Sequence, residues 1–318
     1  MWAHRLEGTS LYVRHEVDPP DPEQLADGDV VLRFRAGGVC GSDLARFRDG
    51  AETPGPQPFG RSLHEIVGDV VASKSDLAVG ERVVGWVSTL CGLNEHVVTA
   101  ARELAIAPPE LDPVRAVSLQ PLACVLGALR RVTNLSGARV AVLGLGPIGL
   151  LFAHAAKHFG AEHVVGVDVV DRRDMAADYG VDELAQSTTR RWSEGVADGP
   201  GFDVVIEAIG HQVGTFGDAV FAAAVHGTVL YFGIPDDPVY PLRIDRLMDR
   251  NIVLRFGRTP RPERRDALHS AIDYVAQYPH LMERYVTHVL PVDEAQKGFE
   301  MACRPAPGQL KIVLQDDV

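Results

Sequence analysis

The sequence predicts an α/β chain in which a β-rich region precedes a doubly wound parallel sheet. Three observations carry this expectation. A strand, a turn reading G-x-G-x-x-G, a helix and a second strand follow one another between Arg139 and Asp168. Strand-like and helix-like segments go on alternating to Phe256. Roughly the first 110 residues read as short strands punctuated by glycine and proline turns.

Taken in order, residues 10–14 and 29–35 are strand-like runs. Between them Asp18-Pro19-Pro20-Asp21-Pro22 suits neither helix nor central strand, because proline lacks the backbone N–H that both need. Further strands are expected at 66–72, 82–87 and 95–99, with turns at Val79-Gly80-Glu81 and Cys91-Gly92. Residues 109–133 look largely helical. The run 139–143 is a short β-branched and apolar strand. Residues 147–159 place Ile148, Leu151, Phe152, Ala155, Ala156 and Phe159 at helical spacing, with Pro147 where a first turn tolerates it and Gly160 as the stop. A second strand covers 163–168. A helix is expected at 172–179, ending at Gly180, then strand 203–208, helix 216–224, and strands 227–233 and 251–256. The remainder reads as helix 264–277, strand 287–290, helix 292–302 and strand 309–314.

The glycine turn carries chemistry. Gly144 lets the chain turn sharply, Gly146 leaves room for a pyrophosphate at the backbone, and Gly149 lets helix and strand pack closely. The helix beginning at Pro147 and Ile148 offers free N–H groups and a partial positive charge to phosphates. Asp168 ends the second strand about 20 residues beyond the glycines, where an acid accepts hydrogen bonds from an adenosine ribose. Its charge would repel a 2′-phosphate, so the expected cofactor is NAD rather than NADP. Arg172 and Arg173 lie close by, and Arg173 is taken as a further cofactor contact.

Composition narrows the classes. With 318 residues the chain is long enough for two domains, and 46% hydrophobic with 23% charged residues is ordinary for a globular protein. A net charge of −12 argues against nucleic acid or a membrane surface as partner. No run approaches the roughly 18 apolar residues of a membrane span, and the first residues lack the apolar core of a signal peptide. Cys40, Cys91, Cys124 and Cys303 show no paired spacing, which fits a reducing cytoplasm.

Several motifs then converge: Gly38-Val39-Cys40-Gly41-Ser42-Asp43, Leu63-His64-Glu65-Ile66-Val67-Gly68, Val79-Gly80-Glu81-Arg82-Val83, Gln120-Pro121-Leu122-Ala123-Cys124, the dinucleotide unit, and Tyr285-Val286-Thr287-His288-Val289-Leu290-Pro291. In that order and over nearly the whole chain they resemble the zinc-dependent medium-chain dehydrogenase/reductase family, nearest its sorbitol (polyol) and threonine dehydrogenase branch. The resemblance implies a GroES-like β-rich catalytic domain (1–120 plus 258–318) split around a Rossmann domain of doubly wound parallel sheet (121–257). It implies a catalytic zinc on Cys40, His64 and Gln120. Read alone, Cys40 is equally a small buried residue and His64 a hydrogen-bonded core histidine; together a thiolate and an imidazole are good zinc donors. By the same resemblance Ser42 hydrogen-bonds the alcohol and passes on its proton, and Asp43 orients His64 through its second ring nitrogen.

The chain departs from the family at four places. Gln120 stands where polyol dehydrogenases have Glu, which leaves a zinc site one unit more positive and a bound water more acidic than about pKa 7. Glu65 is the alternative ligand, or a catalytic acid behind the metal; Gln120 is otherwise a polar residue at a helix start. Ala45 replaces a relay histidine, so the proton leaves by the cofactor ribose or water. Between Val87 and Glu95 only Cys91 remains of the four cysteines that hold a structural zinc in relatives, so one catalytic and no structural zinc is expected. Leu63 replaces the glycine before His64.

Arg46, Arg48 and Arg61 cluster in sequence and would suit an anionic substrate, or else are solvated or paired with Asp49 or Glu52. Trp86 is either pocket lining or core. Glu207 and Gly210 end a strand on the cofactor side. The expected function is NAD- and zinc-dependent oxidation of a secondary alcohol of polyol, sugar or cyclitol type, or the reverse reduction, by a cytoplasmic homodimer or homotetramer with strand 251–256 as the pairing edge. The rivals are a zinc-free quinone or enone reductase of the same fold and an NAD-binding protein that has lost catalysis.

Overall fold

The computed structural model describes residues 1–49, 57–132 and 134–316. It divides into two compact units: 1–123 with 260–305 and 309–318, and 124–259 with 306–308.

The chain enters the first unit through β1 (Trp2–Gly8) and β2 (Leu11–Glu16), an antiparallel pair. β3 (Asp29–Gly38) follows, then α1 (Gly41–Asp49), β4 (Glu65–Ser73), β5 (Arg82–Trp86), β6 (His96–Ala100), β7 (Leu104–Ile106), α2 (Pro113–Ala116) and the start of α3 (Leu119–Leu129). The second unit holds β8 (Arg139–Leu143), α4 (Pro147–His158), β9 (His163–Asp168), β10 (Glu183–Gln186), α5 (Thr189–Val196), β11 (Phe202–Glu207), α6 (Val213–Ala222), β12 (Ala223–Tyr231), α7 (Ile244–Arg250) and β13 (Val253–Phe256). The first unit is completed by α8 (Arg264–Gln277), β14 (Val286–Pro291), α9 (Ala295–Ala302) and β15 (Lys311–Gln315).

In the first unit the strands run β14-β15-β3-β4-β5-β7, with β6 also on β3. β3 is the spine. Its Val30, Leu32, Phe34 and Ala36 are buried, and alternate side chains of a strand share a face. Tyr12, Phe47 and Phe299 pack ring to ring and tie α1 to α9. Gly38 lies opposite Glu65 in the antiparallel β3–β4 ladder. That register brings Cys40, two residues past β3, beside His64, one residue before β4.

The second unit is a six-stranded parallel sheet in the order β10-β9-β8-β11-β12-β13. From β8 the chain winds outward through β9 and β10, then returns to β11 and winds the other way. The switch lies between β8 and β11, and open α/β sheets bind ligands outside the strand C-termini at such a point. Together the β-rich unit and this sheet are the predicted α/β architecture.

Some elements differ from expectation. The helix expected at 172–179 is a turn followed by one short 3-10 helix at Ala176–Tyr179. Asp171 accepts the Arg173 backbone N–H at 3.1 Å, a local bond that competes with helix, and Gly180 in the left-handed region stops the chain. β12 begins at Ala223, where a helix was expected to continue, because Ala223 pairs with Phe202. α5 was not expected. Its Trp192 and Val196, one turn apart, pack on the sheet core in an otherwise polar helix capped by Thr188.

Candidate metal centre and dinucleotide turn

In the first unit Cys40, His64 and Glu65 bring a sulfur, a ring nitrogen and a carboxylate oxygen within 4.8 Å of one another, the arrangement of a metal site. Asp43, on the first turn of α1 and 3% exposed, organises two of them. One of its oxygens takes the His64 Nδ1–H at 2.9 Å and the other accepts the Cys40 backbone N–H at 3.2 Å. His64 therefore keeps Nε2 for a metal, and its ring plane is fixed. Burial disfavours a charged ring here. The Asp43 charge and hydrogen bond, joined by the Cys40 sulfur, outweigh burial and carry the His64 pKa well above its ordinary value. Ser62 fastens the same turn by donating its hydroxyl to the Asp43 carbonyl at 3.2 Å. Ser42 lies on the first turn of α1, half-buried.

Glu65 is fully buried, and the ammonium of Lys311 on β15 meets its Oε2 at 2.5 Å. Lys311 also donates to the Val39 carbonyl at 3.0 Å. A side chain on Gly38 would fall 2.2 Å from Glu65 Oε2, so glycine there makes room for the pair. The donor set fits zinc: one soft sulfur, one imidazole and a carboxylate whose Oε1 is buried with no hydrogen-bond partner. Gln120 is the second residue of α3 and 2% exposed. Leu63 is fully buried, and Gly37 accommodates it, since a Cβ on Gly37 would lie 2.3 Å from Leu63 Cδ2. Sequence reasoning missed Lys311. The signal available was an isolated lysine opening the final apolar strand.

The three arginines bear on two different cysteines. Arg46 and Arg61 both act on the Cys91 thiol, which burial pushes up and they pull down. Arg48 instead acts on Cys303. Glu52, proposed as a partner for them, lies outside the described residues. Trp86 belongs to the core: it is 4% exposed, with the Arg264 guanidinium 5.0 Å over its ring.

In the second unit the glycine turn has the geometry its spacing implies. Gly144 sits at φ +88°, donating to the Val167 carbonyl at 2.8 Å. Gly146 caps α4, and a Cβ there would meet nothing within 4 Å. A Cβ on Gly149 would lie 1.7 Å from the Gly144 carbonyl oxygen, so helix and turn touch backbone to backbone. Pro147 and Ile148 form the first turn of α4. Asp168 reaches back to this turn: Oδ2 accepts the Leu145 N–H at 2.7 Å and Oδ1 the Val170 N–H at 2.8 Å. Arg172 is almost wholly buried, 3.9 Å from Asp168 and donating to the Ala306 carbonyl. Arg173 is 76% exposed and pairs with Asp171.

Glu207 ends β11, as expected, with its carboxyl fully buried beneath the turn that follows. Gly210 adopts φ +63° in that turn. Among the described residues β13 pairs only with β12 and forms one edge of the sheet, with Phe256 58% exposed.

A partly buried thiol–imidazole–carboxylate cluster on a β-rich unit, with a glycine-turn nucleotide fold, is the combination found in metal-assisted, nicotinamide-dependent dehydrogenases. The comparisons with known proteins agree. Residues 26–140 match the alcohol dehydrogenase GroES-like domain and residues 147–273 the zinc-binding dehydrogenase domain. Sorbitol dehydrogenase of Bombyx mori is 27% identical over 93% of this chain and 94% of its own. Among solved structures, alcohol dehydrogenase TADH from Thermus sp. ATN1 superposes with a TM-score of 0.80 at 25% identity, covering 99% of this chain and 100% of its own. A protein of zinc-binding dehydrogenase type from Sinorhizobium meliloti 1021, bound to NADP, gives 0.80 at 25% identity, covering 99% and 98%. The chain belongs to the zinc-type medium-chain dehydrogenase family, a family of oxidoreductases acting on small molecules with a nicotinamide cofactor. No helix among the described residues is long and apolar enough to cross a membrane.

Proposed function

We propose that the chain catalyses zinc-dependent interconversion of a secondary alcohol, of polyol, sugar or cyclitol type, and its ketone, with NAD as hydride carrier. The observation that carries this reading is the Cys40–His64–Glu65 cluster with Asp43 behind it. Zinc bound there would act as a Lewis acid on the substrate oxygen, and NAD would take the hydride from carbon. Cys40 and His64 hold the metal. Glu65 stands within reach as third ligand, and Gln120 is the alternative carried by resemblance. Asp43 keeps the imidazole in the tautomer that offers Nε2. Ser42 would hold the alcohol proton and pass it on, and Ala45 offers no side chain to continue a relay.

Gly144, Gly146 and Gly149, with the α4 N-terminus, receive the pyrophosphate. Asp168 supports NAD over NADP by its charge, and Arg173 stands at the adenosine end. The exposed β13 edge supports assembly with a second copy of the chain, and the single catalytic zinc follows from the lone Cys91. A cytoplasmic place fits cysteines that show no paired spacing in the sequence.

Elemental analysis of protein prepared without chelator tests the reading. One zinc per chain, lost in Cys40→Ala, is the expected result, together with tighter binding of NADH than NADPH in fluorescence titration. Absence of zinc after supplementation would instead favour the quinone or enone reductase.

A further inference from the structure

Glu207 is a buried acid to which the proposed reaction gives no part, yet its contacts span both turns on one side of the sheet's switch point. Its Oε1 accepts the Ile209 N–H at 3.1 Å, the Gly210 N–H at 3.0 Å and the Thr215 hydroxyl at 2.9 Å. The first two belong to the turn after β11 and the third to the first turn of α6. Its Oε2 faces the turn after β12: a Cβ on Gly233 would lie 2.5 Å from Oε2, and 2.2 Å from the Gly210 nitrogen. The Glu207 carbonyl accepts from Phe232 and Gly233 in that same turn. One residue thus holds the two turns against each other.

The first turn leads to the cofactor. Ile209 lies on the first glycine of the nucleotide motif, since a Cβ on Gly144 would be 2.5 Å from Ile209 Cγ1 and 3.4 Å from its nitrogen. Gly144 and Ile209 therefore lie side by side at the switch point, where open α/β sheets bind their ligands, and on the cofactor reading Ile209 would wall that site. We propose that Glu207 is a positioning residue for the dinucleotide, setting the Ile209 wall through its bonds to the Ile209–Gly210 turn and to Thr215. This deepens the cofactor reading and rests on it. Burial pushes the Glu207 pKa up, against the hydrogen bonds it receives, which is consistent with an acceptor role that a neutral side chain can fill. No proton or hydride passes through it.

The test is fluorescence titration with NADH of wild type, Glu207→Leu, Glu207→Gln, Thr215→Val and Ile209→Ala, with thermal melts alongside. Wild type that binds neither NADH nor NADPH removes the cofactor reading itself. Given wild-type binding, E207L should weaken NADH about tenfold, whereas E207Q, which keeps the acceptor oxygen, should stay within about twofold. T215V should fall between them. The E207L/I209A double variant should bind no worse than E207L alone, because both changes act through one wall. A purely structural role would lower the melting temperature of E207L and leave the affinity of the folded protein unchanged, which would overturn the proposal. Equal losses in E207L and E207Q would also overturn it. Should E207L fail to fold, wild-type affinity in both T215V and I209A gives the same negative answer.

Discussion

At the scale of single residues, Asp43 determines more of the metal centre than any ligand does alone. It is buried, and its two oxygens are spent on two different ligand residues, the His64 ring and the Cys40 backbone. Asparagine has the same shape but one oxygen, so it satisfies one of these donors and turns an N–H toward the other. Asp43→Asn should therefore keep the fold and lower zinc affinity about 10- to 100-fold, read by competition with a chromogenic chelator. Unchanged affinity would mean that His64 is oriented by something else. Cys40, Asp43 and His64 were legible because each sits in a short motif whose residue types match metal chemistry. Lys311 was not, because its partner Glu65 is reached only through the pairing of β15 with β3 and of β3 with β4. Leu63 departs from the family's glycine, and Gly37, which makes room for it, is far from it along the chain.

At the scale of elements, the three glycines of the β8–α4 turn serve different ends, and the structure separates them. Gly149 is fixed by packing, whereas packing makes no demand on Gly146. Gly149→Ala must push a methyl into the Gly144 carbonyl, an overpacking expected to cost about 2–3 kcal/mol and to lower the melting temperature. Gly146→Ala points its methyl into open space from an ordinary negative φ, so it should cost no more than about 1 kcal/mol as a poorer helix cap. Yet it should weaken NADH at least about tenfold, because the methyl stands where the pyrophosphate must approach the backbone. Melts and NADH titrations of the two variants check this together. Wild-type affinity in G146A would show that the dinucleotide does not use this turn. The β8–α4–β9 unit was legible because pattern, punctuation and chemistry agree there. The 172–179 segment was not, since its residues have helical spacing while Asp171 and Arg172 are drawn into other bonds.

At the scale of the whole molecule, the class of fold was legible from periodicity, and the order of strands in each sheet was not, because period says which face is buried and never which strand is next. The same holds for buried polar groups: a histidine in an apolar run gives no sign of its fate until the packing around it is known. His4 in the first unit and His154 in the second are both buried, 3% and 7% exposed. Burial, helped by Arg14 at His4 and by His158 at His154, lowers each pKa from 6.5 to about 4. The folded chain keeps both rings neutral, whereas the unfolded chain protonates them below its pKa of 6.5. Stability is then complete above that value and falls as pH drops toward 4, by up to about 3 kcal/mol for each ring. Asp69 and Asp182, whose pKa values lie below the usual carboxylate range, lose their contribution only under still more acid conditions. Glu207 and Asp218, raised by burial, act with the opposite sign to the histidines, so the wild-type slope alone does not isolate the rings. The difference between wild type and the His4→Leu/His154→Leu double variant does. Between pH 7.5 and 5 the wild-type melting temperature should fall further than that of the double variant, and parallel curves would show that the two rings are protonated in the folded chain.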